Sequence, residues 1–126
     1  MIYGIGVDLV RVDRIAALLQ RYGDRFLQRI FTPQEIAYCQ GQTWAVSGLA
    51  LRFAAKEAFS KALGVGLRRR GIRWREVEVV PNPMGKPELN ITGRAAELCE
   101  EASITNSHVT LTDEDNHAIA VVILEK

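Results

Sequence analysis

Charged residues at helical spacing stand in the otherwise apolar stretch 51–63, and they are the residues best suited to carry chemistry. Arg52 and Lys56 are four residues apart, as are Glu57 and Lys61, so an α-helix would place each pair on one stripe. The result is one carboxylate among three cations. On a solvated helix, Glu57 and Lys61 would form an ordinary ion pair worth about 0.3–0.5 kcal/mol. In a buried setting, the same residues could bind charged groups of a substrate.

Asp8 is a second carboxylate in unusual surroundings. Residues 2–10 predict a buried strand that is rich in aliphatic side chains and has Gly4 and Gly6 interleaved. Glycines inside a strand often mark the close approach of another backbone or of a ligand. A carboxylate in such a strand must be paired, protonated or bound to a cation, because burying it alone is prohibitive. Alternatively, Asp8 caps the turn or helix that follows.

If Asp8 and Glu57 converge, their oxygens would suit Mg²⁺. This ion typically takes one or two protein carboxylates and completes its octahedron with water and substrate phosphates. The cations Arg52, Lys56 and Lys61 would then face the same phosphates. A divalent ion and basic side chains around a pyrophosphate are typical of phosphoryl-type transfer, which depends on charge neutralisation and positioning.

Hydrophobic periodicity predicts two longer helical segments. Residues 13–30 have an apolar side at helical spacing, with a break near Gly23. Residues 44–63 form a long central helix that consists mostly of strong helix formers. Gly64 and Gly66 supply its stop, since glycine accepts the left-handed conformation that often ends a helix.

Capping residues mark two shorter helices. Thr32, Pro33 and Glu35 are a cap, a first-turn proline and the acidic residue of a capping box, so a helix is expected from there to about residue 40. A further helix over residues 92–102 would have Thr92 as its cap.

Alternating and apolar runs predict the remaining strands. Residues 74–80 and 88–91 flank a turn over 81–87 that is rich in proline and glycine, which favours an antiparallel hairpin. Residues 108–112 are expected as a third strand of that set, and 118–124 as a buried last strand. The segregation of helices and antiparallel strands indicates an α+β fold, with an antiparallel sheet packed against the long central helix.

Length and charge limit the function classes. A chain of 126 residues predicts a single domain, 1–126, and a net charge of +1 provides no global field for nucleic acid. The basic residues are nevertheless clustered, which suggests local anionic partners. Two segments hold most of them: Arg11, Arg14, Arg21, Arg25 and Arg29, and later Arg68, Arg69, Arg70, Arg73 and Arg75.

The cysteines and the N-terminus favour a cytoplasmic location. Cys39 and Cys99 are too few for a disulfide framework and belong to no metal-ligand cluster, so reduced, partly buried thiols are expected. The first residues lack the basic flank and long apolar run of a signal peptide. No apolar run approaches transmembrane length, so no membrane association is expected.

Three motifs together resemble a known family. They are Gly-Ile-Gly-Val-Asp-Leu-Val at residues 4–10, Phe-Ala-Ala-Lys-Glu-Ala-Phe-Ser-Lys-Ala-Leu-Gly-Val-Gly at residues 53–66, and Gly-Lys-Pro at residues 85–87. In combination they are similar to the holo-acyl carrier protein synthases, the small single-domain group of 4′-phosphopantetheinyl transferases. The resemblance extends over essentially the whole chain, and the chain length agrees with it.

The resemblance implies a reaction and a metal site. Such an enzyme moves the 4′-phosphopantetheine group of coenzyme A onto a serine of apo acyl carrier protein and releases adenosine 3′,5′-bisphosphate, in fatty acid biosynthesis. By motif position, Asp8 and Glu57 would be the Mg²⁺ ligands, and Lys61 would stabilise charge on the phosphate. Glu57 is also the nearest candidate base for the serine proton, directly or through a water.

The resemblance further implies how the co-substrate coenzyme A is held. Members of the family assemble as homotrimers with active sites between subunits, so a short chain can enclose a large ligand. The residues expected to bind the phosphates and adenosine are Arg52, Lys56, Lys61, Gly64, Gly66, Asn82, Gly85, Lys86 and Pro87.

The basic first helix has a partner under this reading. Acyl carrier proteins are acidic, and Arg14, Arg21 and Arg25 would present cations to them. Such pairs mainly steer encounter and fix orientation, and salt weakens them. The alternative is a solvated arginine face with no partner.

One position departs from the family pattern. Many members have Ser-x-Ser-His in the strand before the last turn, whereas this chain reads Thr-Leu-Thr-Asp at residues 110–113, which places Asp113 where that histidine would be. An ionised Asp cannot donate to a phosphate and would repel it. Either Asp113 bonds a nearby cation or hydroxyl, or the ligand is held by other residues.

The sequence is also compatible with two other functions. Residues 68–75, with Trp74 for stacking, could bind RNA or a nucleotide without catalysis. A Mg²⁺-dependent hydrolase of nucleotide diphosphates would use the same two carboxylates to activate water.

Overall fold

A computed structural model describes residues 1–66 and 71–126. The elements in chain order are β1 (Ile2–Arg11), α1 (Val12–Tyr22), α2 (Asp24–Ile30), α3 (Pro33–Cys39), α4 (Ala45–Leu63), a 3₁₀ turn (Trp74–Glu76), β2 (Val77–Pro81), β3 (Pro87–Ile91), α5 (Gly93–Glu101), β4 (Asn106–Glu114) and β5 (His117–Glu125). The strands form two antiparallel sheets, one in the order β1-β5-β4 and the other the β2-β3 hairpin. The predicted α+β class and the long central helix agree with this architecture.

Helix α4 lies directly on strand β1, with almost no side chain between the two backbones. A Cβ atom added to Gly4 would lie 2.0 Å from the carbonyl oxygen of Ala62, and one added to Gly6 would lie 1.9 Å from that of Ala58. No real side chain tolerates such distances, so glycine is required at both positions. The close approach that the interleaved glycines predicted is therefore present, and the partner is the central helix.

The expectation that β1 is buried throughout is wrong. Its glycine side faces α4, and side chains alternate along a strand, so the large apolar residues point away from the helix. Ile5, Val7 and Leu9 are 61%, 54% and 60% exposed. They pair with Ile123, Val121 and Ile119 of β5, and together these side chains form an apolar outer sheet face.

The second half of the chain differs from expectation in three places. Residues 74–76 form a 3₁₀ turn, in which Trp74 stacks on Phe53 of α4 at 5.0 Å, and strand β2 begins only at Val77. Strand β4 pairs with β5 and does not extend the β2–β3 hairpin. The Thr92 side chain makes no capping hydrogen bond, and the carboxylate of Glu76 instead accepts from the backbone N–H of Ala95.

Local signals predicted the other helix ends correctly. The Thr32 hydroxyl accepts from the N–H of Glu35, and the Glu35 carboxylate accepts from the N–H of Thr32, which completes the capping box. Gly23 separates α1 from α2 with a positive φ of 56°. Gly64 ends α4 in the left-handed conformation. Both cysteines are free and buried, and burial raises the pKa of each thiol.

Candidate active site

Asp8 and Lys61 meet where the glycine side of β1 meets α4. Gly4 and Gly6 lie against the helix backbone, and Asp8 is the next residue on the same face of the strand. The Lys61 ammonium donates to Oδ1 of Asp8 at 3.0 Å and to the carbonyl of Val7 at 3.1 Å. The Asp8 side chain is only 14% exposed, whereas that of Lys61 is 54% exposed. The carboxylate is therefore held in place, and the lysine retains room to move.

Glu57 lies one helical turn before Lys61, close enough to Asp8 and Lys61 for their charges to act on its carboxyl group. Burial raises the pKa of Glu57, and the negative charge of Asp8 raises it further. The cations Lys61 and Arg14 act in the opposite direction and partly offset this increase. The structure therefore brings together two carboxylates that are remote in sequence, with one lysine beside them.

This pair of carboxylates can hold a hard divalent cation only if other ligands complete the coordination shell. In the described part of the chain, no group of three or more His, Cys, Asp or Glu side chains could hold a metal ion. An ion between Asp8 and Glu57 would take its other ligands from water and from the substrate, which is the usual arrangement for Mg²⁺ at phosphate sites. The negative charge of Asp8 also disfavours the ionised form of Glu57, and a cation bound between the two would relieve that repulsion. The donor set thus fits Mg²⁺.

Lys56 does not reach this site. Its side chain is fully buried, and its ammonium donates to Oε1 of Glu35 at 2.8 Å and to backbone carbonyls of Trp74 and Val77. Burial lowers the pKa of Lys56, and Glu35 opposes that change. All three N–H donors are occupied, so this placement disagrees with the expectation that Lys56 contacts the phosphates of coenzyme A.

Arg52 lines a separate pocket of about 260 Å³. It is 6% exposed, donates to the carbonyl of Gly48 at 3.0 Å, and lies 4.8 Å from the centre of the Tyr38 ring. Its Nε is buried without a hydrogen-bond partner. Gly85, Pro87 and Asp113 line the same pocket. Asp113 therefore shares a cavity with a guanidinium group, and the two alternatives for its role both stay open.

The loop between β2 and β3 is organised by Asn82. Its side-chain oxygen accepts from the backbone N–H groups of Met84 at 2.9 Å and Lys86 at 3.0 Å. Gly85 completes the turn with a positive φ of 87°. Asn82 thus shapes the loop through its own side chain, and Lys86 is left exposed at its end.

The predicted ligand residues fall into two groups within one protomer. Arg52, Gly85 and Pro87 line the pocket described above, whereas Lys61 lies beside Asp8 and Gly64 ends α4. Twelve residues of helix separate Arg52 from Gly64, a distance of about 18 Å at 1.5 Å per residue. One copy of the chain therefore does not gather the complete set around a single cavity.

The basic first helix lies next to the carboxylate pair. The guanidinium of Arg14 lies 5.5 Å from the centre of the Phe53 ring, and its charge acts on Glu57. Arg21 lies 5.3 Å from the ring centre of Tyr22, and Arg25 is exposed on α2. Arg14 and Arg21 both line a shallow concavity of about 560 Å³ on α1. A partner seated there would be adjacent to Glu57.

Comparison with known proteins identifies the family. Residues 4–122 match the family model described as the 4′-phosphopantetheinyl transferase superfamily. The chain belongs to this superfamily. A holo-[acyl-carrier-protein] synthase from Geotalea daltonii is 46% identical to it over 126 residues, which cover 100% of each chain.

Solved structures support the same assignment. A crystal structure of holo-[acyl-carrier-protein] synthase from Neisseria meningitidis has a TM-score of 0.91 to this phosphopantetheinyl transferase superfamily member, at 38% identity and 100% coverage of both chains. That of the Helicobacter pylori synthase in complex with coenzyme A has a TM-score of 0.83, at 28% identity, and covers 96% of this chain and 99% of that chain. The predicted phosphopantetheinyl transferase fold is therefore confirmed.

Sequence reasoning on this superfamily member missed Glu35 and misjudged Trp74. Glu35 was expected only as a capping residue, but it is also the buried partner of Lys56. The sequence suggests Trp74 as a stacking platform for RNA, but its ring is partly buried and is stacked on Phe53 of α4. Of the arginines in that RNA-binding hypothesis, Arg68, Arg69 and Arg70 lie outside the described residues. In the described part of the chain, no helix is long and apolar enough to cross a membrane.

Proposed function

We propose that this chain is a holo-acyl carrier protein synthase. It transfers the 4′-phosphopantetheine group of coenzyme A to a serine of apo acyl carrier protein and releases adenosine 3′,5′-bisphosphate. The observation that carries the proposal is the meeting of Asp8, Glu57 and Lys61 at one place, beside a basic helix, in a member of this superfamily. The relative from Geotalea daltonii, which matches this chain over its whole length, is a holo-[acyl-carrier-protein] synthase. The Helicobacter pylori synthase was crystallised in complex with coenzyme A.

Asp8 and Glu57 would hold Mg²⁺ in this enzyme. When bound, the ion supplies charge neutralisation and orientation for the pyrophosphate of coenzyme A. The carboxylates supply two ligands. Burial raises the pKa of Glu57, and the repulsion from Asp8, which a cation would remove, raises it further. Lys61, which neutralises Asp8 when no cation is there, is long and exposed enough to turn towards the phosphates.

The reaction requires a proton to leave the acceptor serine. The serine oxygen attacks the β-phosphorus of coenzyme A, and the bond from that phosphorus to the bridging oxygen of the departing adenosine 3′,5′-bisphosphate breaks. Glu57 is the proposed acceptor of the serine proton, and its raised pKa brings it closer to the operating pH than an ordinary Glu would be. Lys61 stabilises the negative charge that builds up on the phosphate oxygens.

The complete active site is proposed to form between subunits of a homotrimer. The pocket of Arg52, Gly85 and Pro87 and the carboxylate pair lie apart in one protomer, so a ligand as long as coenzyme A could use both groups from adjacent copies. The exposed apolar face of β1, formed by Ile5, Val7 and Leu9, supports such an assembly. A contiguous apolar patch of this kind is typical of a protein–protein interface.

Arg14, Arg21 and Arg25 are proposed to dock the acidic carrier protein. Arg14 is close enough to Glu57 for its charge to offset part of the rise in the Glu57 pKa. A carrier protein bound on α1 would therefore present its serine near the proposed base. The reaction is expected in the cytoplasm, within fatty acid biosynthesis. Two free, buried thiols are compatible with a reducing compartment.

A direct assay separates this function from the hydrolase alternative. Coenzyme A is incubated with the protein and Mg²⁺, with and without apo carrier protein, and adenosine 3′,5′-bisphosphate is measured. A transferase releases this product only when the carrier protein is present. Release at the same rate without the acceptor would contradict the proposal and favour a hydrolase.

A further inference from the structure

The buried ammonium of Lys56 connects three parts of the fold. It lies on α4 and donates to Glu35 in the first turn of α3 and to the carbonyls of Trp74 and Val77, at the start of β2. Lys56 and Glu35 have no exposed side-chain surface. An isolated buried charge is prohibitively costly, so this contact is obligatory for both residues.

The Glu35 carboxylate is equally well partnered. Its Oε1 accepts from Lys56 and from the N–H of Thr32, and its Oε2 accepts from the N–H of Val79 at 3.0 Å. One carboxylate therefore caps its own helix, pairs with α4 and binds the backbone of β2. The ion pair joins the hairpin to the central helix through hydrogen bonds with fixed direction.

A second carboxylate continues the connection into the other strand. Glu78 of β2 is buried, and it accepts hydrogen bonds from the Thr32 hydroxyl and from the side-chain amide of Asn90 on β3, the latter at 3.1 Å. Both strands of the hairpin are thus tied to the N-terminus of α3. The Asn82–Lys86 loop lies at the far end of that hairpin, joined to it by strand pairing.

Replacement of a buried ion pair by apolar side chains of similar volume is often neutral or stabilising, so stability alone does not account for this one. Its distinctive property is direction: a shift of the hairpin along α4 would break several charged hydrogen bonds at once. Consecutive helical residues point about 100° apart, so the inward position of Lys56 also determines where the neighbouring Glu57 points.

We propose that Lys56 and Glu35 are positioning residues that hold the β2–β3 hairpin, and with it the Asn82–Lys86 loop, in a defined place relative to Glu57. They touch no substrate and act through the loop that is proposed to bind coenzyme A. The inference rests on the proposed function in this one respect. It assigns to Lys56 a role different from the phosphate contact expected from its motif position.

The test removes one charge and then both. Lys56→Met leaves Glu35 buried and unpaired, so the variant should be much less stable than wild type. Adding Glu35→Gln removes the second charge and should restore most of the stability in urea unfolding. If the pair positions the loop, the double variant should still bind coenzyme A about 10- to 100-fold more weakly in calorimetry. Its KM for the carrier protein should stay within about twofold of wild type, because α1 is outside the network.

A second experiment uses Glu35→Gln alone, since this substitution keeps the side-chain volume. Hydrogen exchange should accelerate in β2 and β3 of this variant and stay unchanged in α1. Glu97→Gln is the matched control, because it neutralises a Glu of a solvent-exposed ion pair with Arg94 on α5. It should leave exchange in the hairpin and the affinity for coenzyme A unchanged.

The outcomes are separable. A double variant with wild-type stability and wild-type affinity for coenzyme A would overturn the positioning role, as would unchanged hairpin exchange in Glu35→Gln. Loss of affinity for the carrier protein equal to that for coenzyme A would also overturn it. If the wild-type protein neither binds coenzyme A nor transfers its pantetheine group, the proposed function fails instead. The exchange experiment still tests the connection of hairpin and helix in that case.

Discussion

The Lys61 ammonium lies 3.0 Å from Oδ1 of Asp8, although 53 residues separate them in sequence. The contact exists because Gly4 and Gly6 let α4 lie on the backbone of β1, which brings the next residue on that face within reach of the helix. A cation bound by Asp8 would therefore meet Lys61 at the same oxygen. Lysine and metal ion would then compete for Asp8 unless the lysine turned towards a phosphate.

This competition predicts an unusual result for Lys61→Met. Loss of the ammonium should strengthen Mg²⁺ binding to the protein without substrate, by about tenfold, because a positive charge near the site is removed. Turnover should nevertheless fall by about 100-fold or more, since the phosphate charge loses its stabilising partner. Calorimetry with Mg²⁺ and a transfer assay measure the two effects. Weaker Mg²⁺ binding in the variant would place Lys61 away from the metal.

Glu57→Gln should abolish most of the activity and preserve the fold. It removes one ligand charge but almost no volume, so kcat/KM should fall by about 10²–10³-fold. Added Mg²⁺ should raise the Tm of wild type and leave that of the variant unchanged, because a ligand stabilises a protein only when it binds to the native state. Circular dichroism checks the fold. Wild-type activity in this variant would exclude Glu57 from both proposed roles.

The raised pKa of Glu57 predicts a pH-dependent difference in stability without metal. The native state holds the Glu57 proton more tightly than the unfolded chain, so ionised Glu57 destabilises the fold once the pH rises through its folded-state pKa. Gln does not ionise. In EDTA, Glu57→Gln should therefore be more stable than wild type at neutral pH, and the difference should vanish in acid. Urea unfolding between pH 4 and 8 tests this, and a variant that is less stable at neutral pH would contradict it.

Charge reversal on α1 should weaken the binding of the carrier protein and affect the binding of coenzyme A much less. Arg14→Glu should raise the KM for carrier protein by about tenfold and change the KM for coenzyme A much less. The difference between wild type and variant should shrink as salt is added, because screening weakens exposed charge pairs. Lys126→Glu is the control, since it reverses a charge at the opposite end of the sheet. An equal rise in both KM values would remove Arg14 from the docking face.

The outer face of β1 predicts the oligomeric state. Ile5→Glu would bury a carboxylate in the proposed trimer interface, where ionised groups are strongly disfavoured. The substitution should change the stability of the monomer little, because the Ile5 side chain is largely exposed in a single chain. Wild type should sediment as a trimer, Ile5→Glu as a monomer with reduced transfer activity, and Ile5→Val as a trimer. A wild-type protein that sediments as a monomer and is fully active would rule out the shared site.

Local chemistry made much of the fold predictable from the sequence. The capping box of Thr32 and Glu35 and the left-handed stop at Gly64 depend on neighbours within one helical turn, so the sequence contains the whole interaction. The interleaved Gly4 and Gly6 predicted a close approach, and the structure supplies the partner. The family motifs supplied the candidate site residues position by position; the roles of these residues stay predictions, and the placement of Lys56 disagrees with its expected contact to the phosphates.

Long-range packing accounts for what the sequence did not predict. Helix α4 is apolar on nearly every side, so its pattern does not reveal that Lys56 points inward while Lys61 reaches solvent. The apolar residues of β1 were expected in the core, because no pattern within the strand shows that glycine takes the inner face. The pairing of β4 with β5 likewise depends on tertiary contacts.

The mass of the carrier protein is the most direct measure of the central claim. Purified apo acyl carrier protein is incubated with this protein, coenzyme A and Mg²⁺, and its intact mass is then determined, with Glu57→Gln as the matched control. We expect wild type to add one phosphopantetheine group, lost when the acceptor serine is replaced by alanine, and the variant to add almost none. An unchanged carrier protein mass after prolonged incubation with wild type would contradict the account.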